Sequence, residues 1–224
     1  MLFALGEPVA FVALVLSFLL ALVLRAVAVR LTARTLGLVH RGEPVGFRAR
    51  EDIDPFGAVA AAVGGQGWGR ALSVDEIPRH FGRGRAAAVF LSGPVVTIVA
   101  AQFFFLAYAL TTDLNFLMAA HPSDLLRAAY LDVPVLDQTL LSFGVGLLTF
   151  GLLSLIPIPP LDGFGALWSA QKRPGPSMQW LRLWFEEKNL GVVLLLVFCF
   201  FPLSRPILLI VLDVLGLLFI RLWG

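Results

Sequence analysis

Ser154-Leu155-Ile156-Pro157-Ile158-Pro159-Pro160-Leu161-Asp162-Gly163 closes an uncharged apolar run and sets one carboxylate, Asp162, at its edge. A lone acid at the end of a membrane-crossing segment is costly unless it is paired or hydrated, so Asp162 is a candidate functional residue. The rest of the chain is read outward from this point.

The surroundings are those of an integral membrane protein. Of 224 residues, 58% are hydrophobic and 14% charged, and the apolar residues fall into long uncharged runs rather than a periodic half-buried pattern. Residues 9–29, 86–112 and 139–162 each come close to the ~20 residues that cross a hydrocarbon layer of about 30 Å. The first run lacks a basic region before it and a small-residue cleavage site after it, so it is read as a span and not as a signal peptide. Residues 190–223 are broken at Ser204-Arg205-Pro206 and fit either two short helices or one kinked span. Residues 54–69 are apolar, Gly-rich and flanked by arginines, which suits a re-entrant segment. Residues 177–188 read as an interfacial helix with Trp180 and Trp184 on one face. The expectation is a single all-α domain over residues 1–224, a polytopic helical bundle of about four to five transmembrane helices plus the re-entrant segment.

Charge placement sets the expected orientation. Arg30, Arg34, Arg41, Arg48 and Arg50 follow the first run; Arg70, Arg79, Arg83 and Arg85 precede the second. The loop after Thr112 carries Asp113, Asp124, Asp132 and Asp137 against Arg127. The positive-inside rule places the Arg-rich segments in the cytoplasm and the acidic loop and N-terminus outside. Arginine in excess of lysine hints at a GC-rich bacterial genome, hence a bacterial cytoplasmic membrane. This orientation brings residues 25–29 and Asp162 to the same membrane depth, as a site assembled from two helices requires. Cys199 is the sole cysteine, which excludes an internal disulfide and a Cys-based metal site.

Four ordered segments resemble the site-2 protease family of intramembrane zinc metalloproteases. Ala33, Arg34 and Gly37 match the tail of its His-Glu-x-x-His helix. Asp54-Pro55-Phe56-Gly57 with Gly65 to Trp68 resembles its Asp-Pro and Gly-rich loop, and Ser92-Gly93-Pro94 its Gly-Pro-x-x-Asn, with Thr97 at the Asn. Ile156 to Gly163 resembles its last ligand motif, with Ser154 at a second Asn. The resemblance implies the family's helical core, and Asp162 as a zinc ligand beside two histidines and a glutamate base. Here Arg25, Ala26 and Val29 stand at those three positions. A guanidinium has no lone pair to donate, Ala26 cannot accept a proton and Val29 is inert. No catalytic residue, metal ligand set or cofactor is therefore expected.

Arg25 and Asp162 would both have faced one zinc ion, so their side chains are expected to converge as a salt bridge across the remnant site; Arg25 snorkelling to the interface is the other possibility. Gly57, Gly65, Gly93, Pro94, Thr97 and Ser154 are candidates for a substrate or partner cleft. The function expected is a catalytically inactive pseudoprotease. Its expected partners are the lipid bilayer and a transmembrane client or an active protease, with no nucleic acid. The alternative is an active zinc protease with non-standard ligands, drawing on His40 and His80. A transporter built on Arg25, Asp162, Asp213 and Gln102 is a third, thinner reading.

Overall fold

The computed structural model describes residues 1, 4–38, 44–77, 82–112, 117, 119–127, 133–200 and 206–223. Among these the architecture is all-helical, with one isolated antiparallel bridge, Ile53 to Gly69. Three helices are long and apolar enough to cross a membrane: α1 (Pro8–Thr35), and two further ones at Arg83–Thr111 and Val135–Leu155.

Helix α1 is apolar around its whole circumference, and residue size sorts its faces. Ala10, Ala13, Ser17, Ala21 and Ala28 are buried, whereas Val12, Leu16, Leu19 and Leu31 are exposed. Lipid solvates large apolar groups as well as a core does, so small residues go where helices must approach closely.

The short α2 (Ala49–Asp52) leads into α3 (Pro55–Gly64), the body of the segment expected to be re-entrant. Asp54 caps α3, accepting from the backbone N–H of Phe56 at 2.8 Å, and its other oxygen accepts from the Trp68 indole at 3.1 Å. Gly65 ends the helix with φ +78°, a left-handed conformation natural to glycine. The chain then returns alongside its own entry, where the Arg70 N–H donates to the Asp52 carbonyl at 2.9 Å. Asp54 is therefore both a cap and a clamp.

Helix α4 (Arg83–Thr111) contains Pro94. Next come the short α5 (Pro122–Leu126) and the central helix α6 (Val135–Leu155). Its spanning window is 72% buried, against 50% for α1 and 44% for α4, so α6 is the helix on which the others pack. Its glycines make the seams. A Cβ on Gly146 would lie 2.0 Å from Ser17 Oγ of α1, and one on Gly151 would lie 2.6 Å from Thr97 Oγ1 of α4.

The span expected over residues 139–162 is shorter at its end. Helix α6 stops at Leu155, and Pro157, Pro159 and Pro160 make a turn because proline neither donates to a helical ladder nor tolerates the preceding turn. Asp162 then opens α7 (Asp162–Ala170), so it begins the next helix. Gly163 lets this start fold back onto α6: a Cβ there would lie 2.1 Å from the Leu155 carbonyl oxygen.

The segment expected at the interface is α8 (Pro176–Leu181) continuing as a π-helical turn, Arg182–Glu187. Trp180 and Trp184 remain neighbours, with ring centroids 6.1 Å apart. The C-terminal region resolves into two helices, α9 (Leu190–Phe200) and α10 (Ile207–Ile220). At 1.5 Å per residue each falls short of a hydrocarbon layer of about 30 Å. Among the described residues, three helices are long enough to cross and the two C-terminal ones are shorter, residues 201–205 between them lying outside the described set. Asp213 of α10 accepts from the backbone N–H and hydroxyl of Ser123, both at 2.7 Å, a contact that ties α10 to α5.

Gly57 is the tightest point of the re-entrant segment, since a Cβ there would meet the Trp68 carbonyl oxygen at 2.1 Å. Backbone cannot rotate aside, so Gly57→Ala is expected to cost about 1–3 kcal/mol by overpacking. Gly64→Ala, whose new Cβ finds Cys199 Cβ at 3.7 Å, is the matched control. Denaturant unfolding in mixed micelles distinguishes them, and equal stability of the two variants would contradict the close crossing.

Candidate functional site

Three segments converge on Arg25. Helix α1 carries it one turn below Val29, α7 brings Asp162, and α4 supplies Gly93 beneath it. Arg25 Nε donates to Asp162 Oδ2 at 2.6 Å and Nη2 to Oδ1 at 2.5 Å. Arg25 is 7% exposed and Asp162 3%. The pair is bidentate and buried, the geometry in which guanidinium and carboxylate match best. Snorkelling does not occur.

The slot around Arg25 explains two glycines. A Cβ on Gly93 would lie 2.7 Å from Arg25 Cγ, and one on Gly69 3.2 Å from Arg25 Nη1. The glycine of the Gly-Pro motif thus makes room for the arginine stem, and the returning strand of the re-entrant segment closes over the guanidinium.

A second pair lies beside the first. Arg30 donates to both oxygens of Asp52, at 3.0 and 2.7 Å, and also to the Gly46 carbonyl at 2.7 Å. The Arg48 backbone N–H donates to Asp52 Oδ2 at 2.6 Å. Asp52 is buried and draws residues 46–52 onto α1. Sequence reading did not select Asp52 or Arg30. The only available signal was an acid pair, Glu51-Asp52, inside an arginine-rich segment. It also missed Gln66, which is buried on the re-entrant return with neither amide atom hydrogen-bonded among the described residues.

The remaining candidates sit nearby without forming an open groove. Gly93, Pro94, Thr97 and Ser154 are all buried. The Thr97 hydroxyl donates to the Pro94 carbonyl at 2.9 Å and the Ser154 hydroxyl to the Phe150 carbonyl at 2.9 Å. Both hydroxyls are turned to their own helices. Gly57 lies under Trp68, and Gly65 is buried at the cap of α3. Ala26 and Val29 instead face a cavity of about 620 Å³, bounded by α1, residues 44–52 and residues 70–77.

These residues do not fit a zinc ion. Both oxygens of Asp162 are held by Arg25, and the guanidinium offers no lone pair. Among the described residues, no three His, Cys, Asp or Glu side chains group as a metal would need. His121 faces Asp124, 3.6 Å away, while His40 and His80 lie outside the described residues. What the arrangement does is neutralise a buried acid and lock α7 onto α1.

Half of the chain is similar to a bacterial protein bearing a protease name. Over 115 residues, 50% of this chain and 47% of the relative, it is 36% identical to "Putative zinc metalloprotease YwhC" of Bacillus subtilis (strain 168). The aligned part thus spans about half the length of that relative. No family model and no solved structure matches. The similarity relates half of the chain to a putative zinc metalloprotease, whereas the chemistry at Arg25 and Asp162 is that of an ion pair.

Removing one partner strands a buried charge. Arg25→Ala and Asp162→Ala are each expected to lower stability by roughly 3–5 kcal/mol, whereas Arg25→Met with Asp162→Leu recovers most of the loss. Unfolding of the three variants in micelles supplies the comparison; single variants as stable as the parent would rule out the pair as a structural tie.

Proposed function

We propose that this chain is a site-2-protease-like membrane protein that no longer cleaves, and that it binds a membrane protein, either a client or an active protease. The observation that carries this reading is the bidentate occupation of Asp162 by Arg25. An arginine at a ligand position supplies the positive charge that a metal would otherwise present to that carboxylate. The acid stays satisfied while the nucleophilic water of a metal site is lost. The reading places the Arg-rich segments on the cytoplasmic side of a bacterial membrane.

The docking face in this reading is the outer ridge of α3. Phe56, Val59 and Val63 are exposed and fall at i, i+3 and i+7, one stripe of a helix. This stripe belongs to the element that carries the Gly-rich return, and that return closes over Arg25. A partner helix laid on α3 is thereby next to the remnant site.

Two measurements test the proposal. Zinc per chain, by elemental mass spectrometry of tag-free protein, is expected near zero; Arg25→His with Ala26→Glu and Val29→His is expected to gain roughly one zinc per chain, as three protein ligands then surround the ion. A parent chain that already holds about one zinc, lost in Asp162→Ala, would instead mark an active metalloprotease. A photo-crosslinker at Val59 in native membranes is expected to trap a discrete partner that one at Leu218 does not. Identical adducts at both positions, or none at Val59, would remove the docking face.

A further inference from the structure

The cavity beside Arg25 carries more arginine than its acids neutralise. Arg25, Arg30, Arg34, Arg48 and Arg70 line it, opposed by Glu51, Asp52 and Glu76. Three of the five cations are engaged: Arg25 with Asp162, Arg30 with Asp52, and Arg48 with Glu51 at 2.7 Å. Arg34 and Arg70 make no ion pair among the described residues. Arg34 comes from the last turn of α1 and Arg70 from the return after α3, where its Nη1 donates to the Arg50 carbonyl at 3.4 Å, so two separate segments bring guanidinium groups without an acid partner to one cavity. Val29, Leu38, Leu72 and Ile77 supply the apolar part of a lining that is polar for the most part.

We propose that this cavity binds a phosphate-bearing amphiphile or ester, its phosphate held by Arg34 and Arg70 and its organic body against the apolar part of the lining. Guanidinium forks match phosphate oxygens in pairs, and one phosphate offers enough acceptors for both arginines at once. The volume of about 620 Å³ lies inside the range of roughly 300–1,000 Å³ typical of organic ligands, and well above what a bare ion requires. An acidic polypeptide would need two carboxylates at the matching spacing, whereas a phosphate brings its charge on a single group. The phosphate has two natural sources: the headgroup of an anionic lipid, which basic pockets between membrane helices hold, or a soluble phosphate ester. This inference goes beyond the loss of proteolysis and does not depend on it.

The test uses the full chain in nanodiscs of phosphatidylcholine with and without phosphatidylglycerol, read by native mass spectrometry. Inorganic phosphate is titrated in parallel against chloride of equal ionic strength and read by thermal shift. The double variant Arg34→Gln, Arg70→Gln is compared with Arg83→Gln, which lies outside the cavity. Both cavity arginines are exposed, so folding is expected to survive; the two single variants stand in should the double one aggregate. The expected result is a ligand retained by the parent and by Arg83→Gln, weakened about tenfold or more in the double variant, the worth of lost charge-assisted contacts. Retained phosphatidylglycerol without a phosphate response assigns the lipid, and a phosphate response assigns a soluble ester. Binding of neither, equal loss in Arg83→Gln, or the same arginine dependence for a glutamate-rich peptide alone would overturn the proposal.

Discussion

The structure depends on one requirement, that a carboxylate inside a membrane protein must have a positive partner. Asp162 begins a helix among buried residues, and water does not reach it in the way it reaches a surface acid. Arg25 meets it with two parallel hydrogen bonds, and much else follows from accommodating that arginine. Gly93 must be a glycine because the arginine stem lies where its Cβ would go. Gly69 must be small because the returning strand closes over the guanidinium. The second pair, Arg30 with Asp52, anchors the start of the re-entrant segment to the same helix. Such a pair is a weak source of net stability compared with apolar side chains of the same size. Its value is register: only one placement of α7 along α1 satisfies both charges.

Charge explains why an arginine suits this position better than another residue that cannot bind metal. In the site-2 protease resemblance, a cation stands opposite the carboxylate of the last motif. Losing the histidines to alanine or valine alone would leave that carboxylate exposed to hydrocarbon with no counter-charge. In that resemblance Arg25 stands at the first histidine's position and its guanidinium reaches the acid directly, so Ala26 and Val29 beside it carry no electrostatic cost.

The legibility of the chain followed the range of its interactions. Long uncharged runs declared α1, α4 and α6, because a membrane span is a local property of composition. The pairing of Arg25 with Asp162 was legible despite 137 residues of separation, because two motifs fixed where each would stand. Asp52, by contrast, belongs to no motif, and nothing in its neighbourhood points to Arg30. Asp213 also belongs to no motif, and its oxygens accept from Ser123, ninety positions away. The end of α6 was placed too late for another reason. Apolarity runs on to Leu161 without a break, but the prolines end the hydrogen-bond ladder six residues sooner. Hydrophobicity reports what a segment dissolves in, and backbone donors decide where its helix stops.

The seams and the cavity place opposite demands on the same scaffold. Where α6 meets α1 and α4, glycines bring backbones so close that no guest fits, and the Thr97 and Ser154 hydroxyls bond their own helices. Hydroxyls whose proton is engaged in this way do not donate to an incoming peptide backbone. Beside Arg25 the reverse holds: α1, residues 44–52 and residues 70–77 border an arginine-lined hollow of about 620 Å³. In the proposed reading, a partner would meet the ridge of α3 or the arginine-lined hollow rather than the closed helix seams. The Arg25–Asp162 pair lies between these two places. It faces the hollow through Arg25 and is roofed by the return of α3 through Gly69, so a ligand in one and a partner on the other would press on the same few atoms.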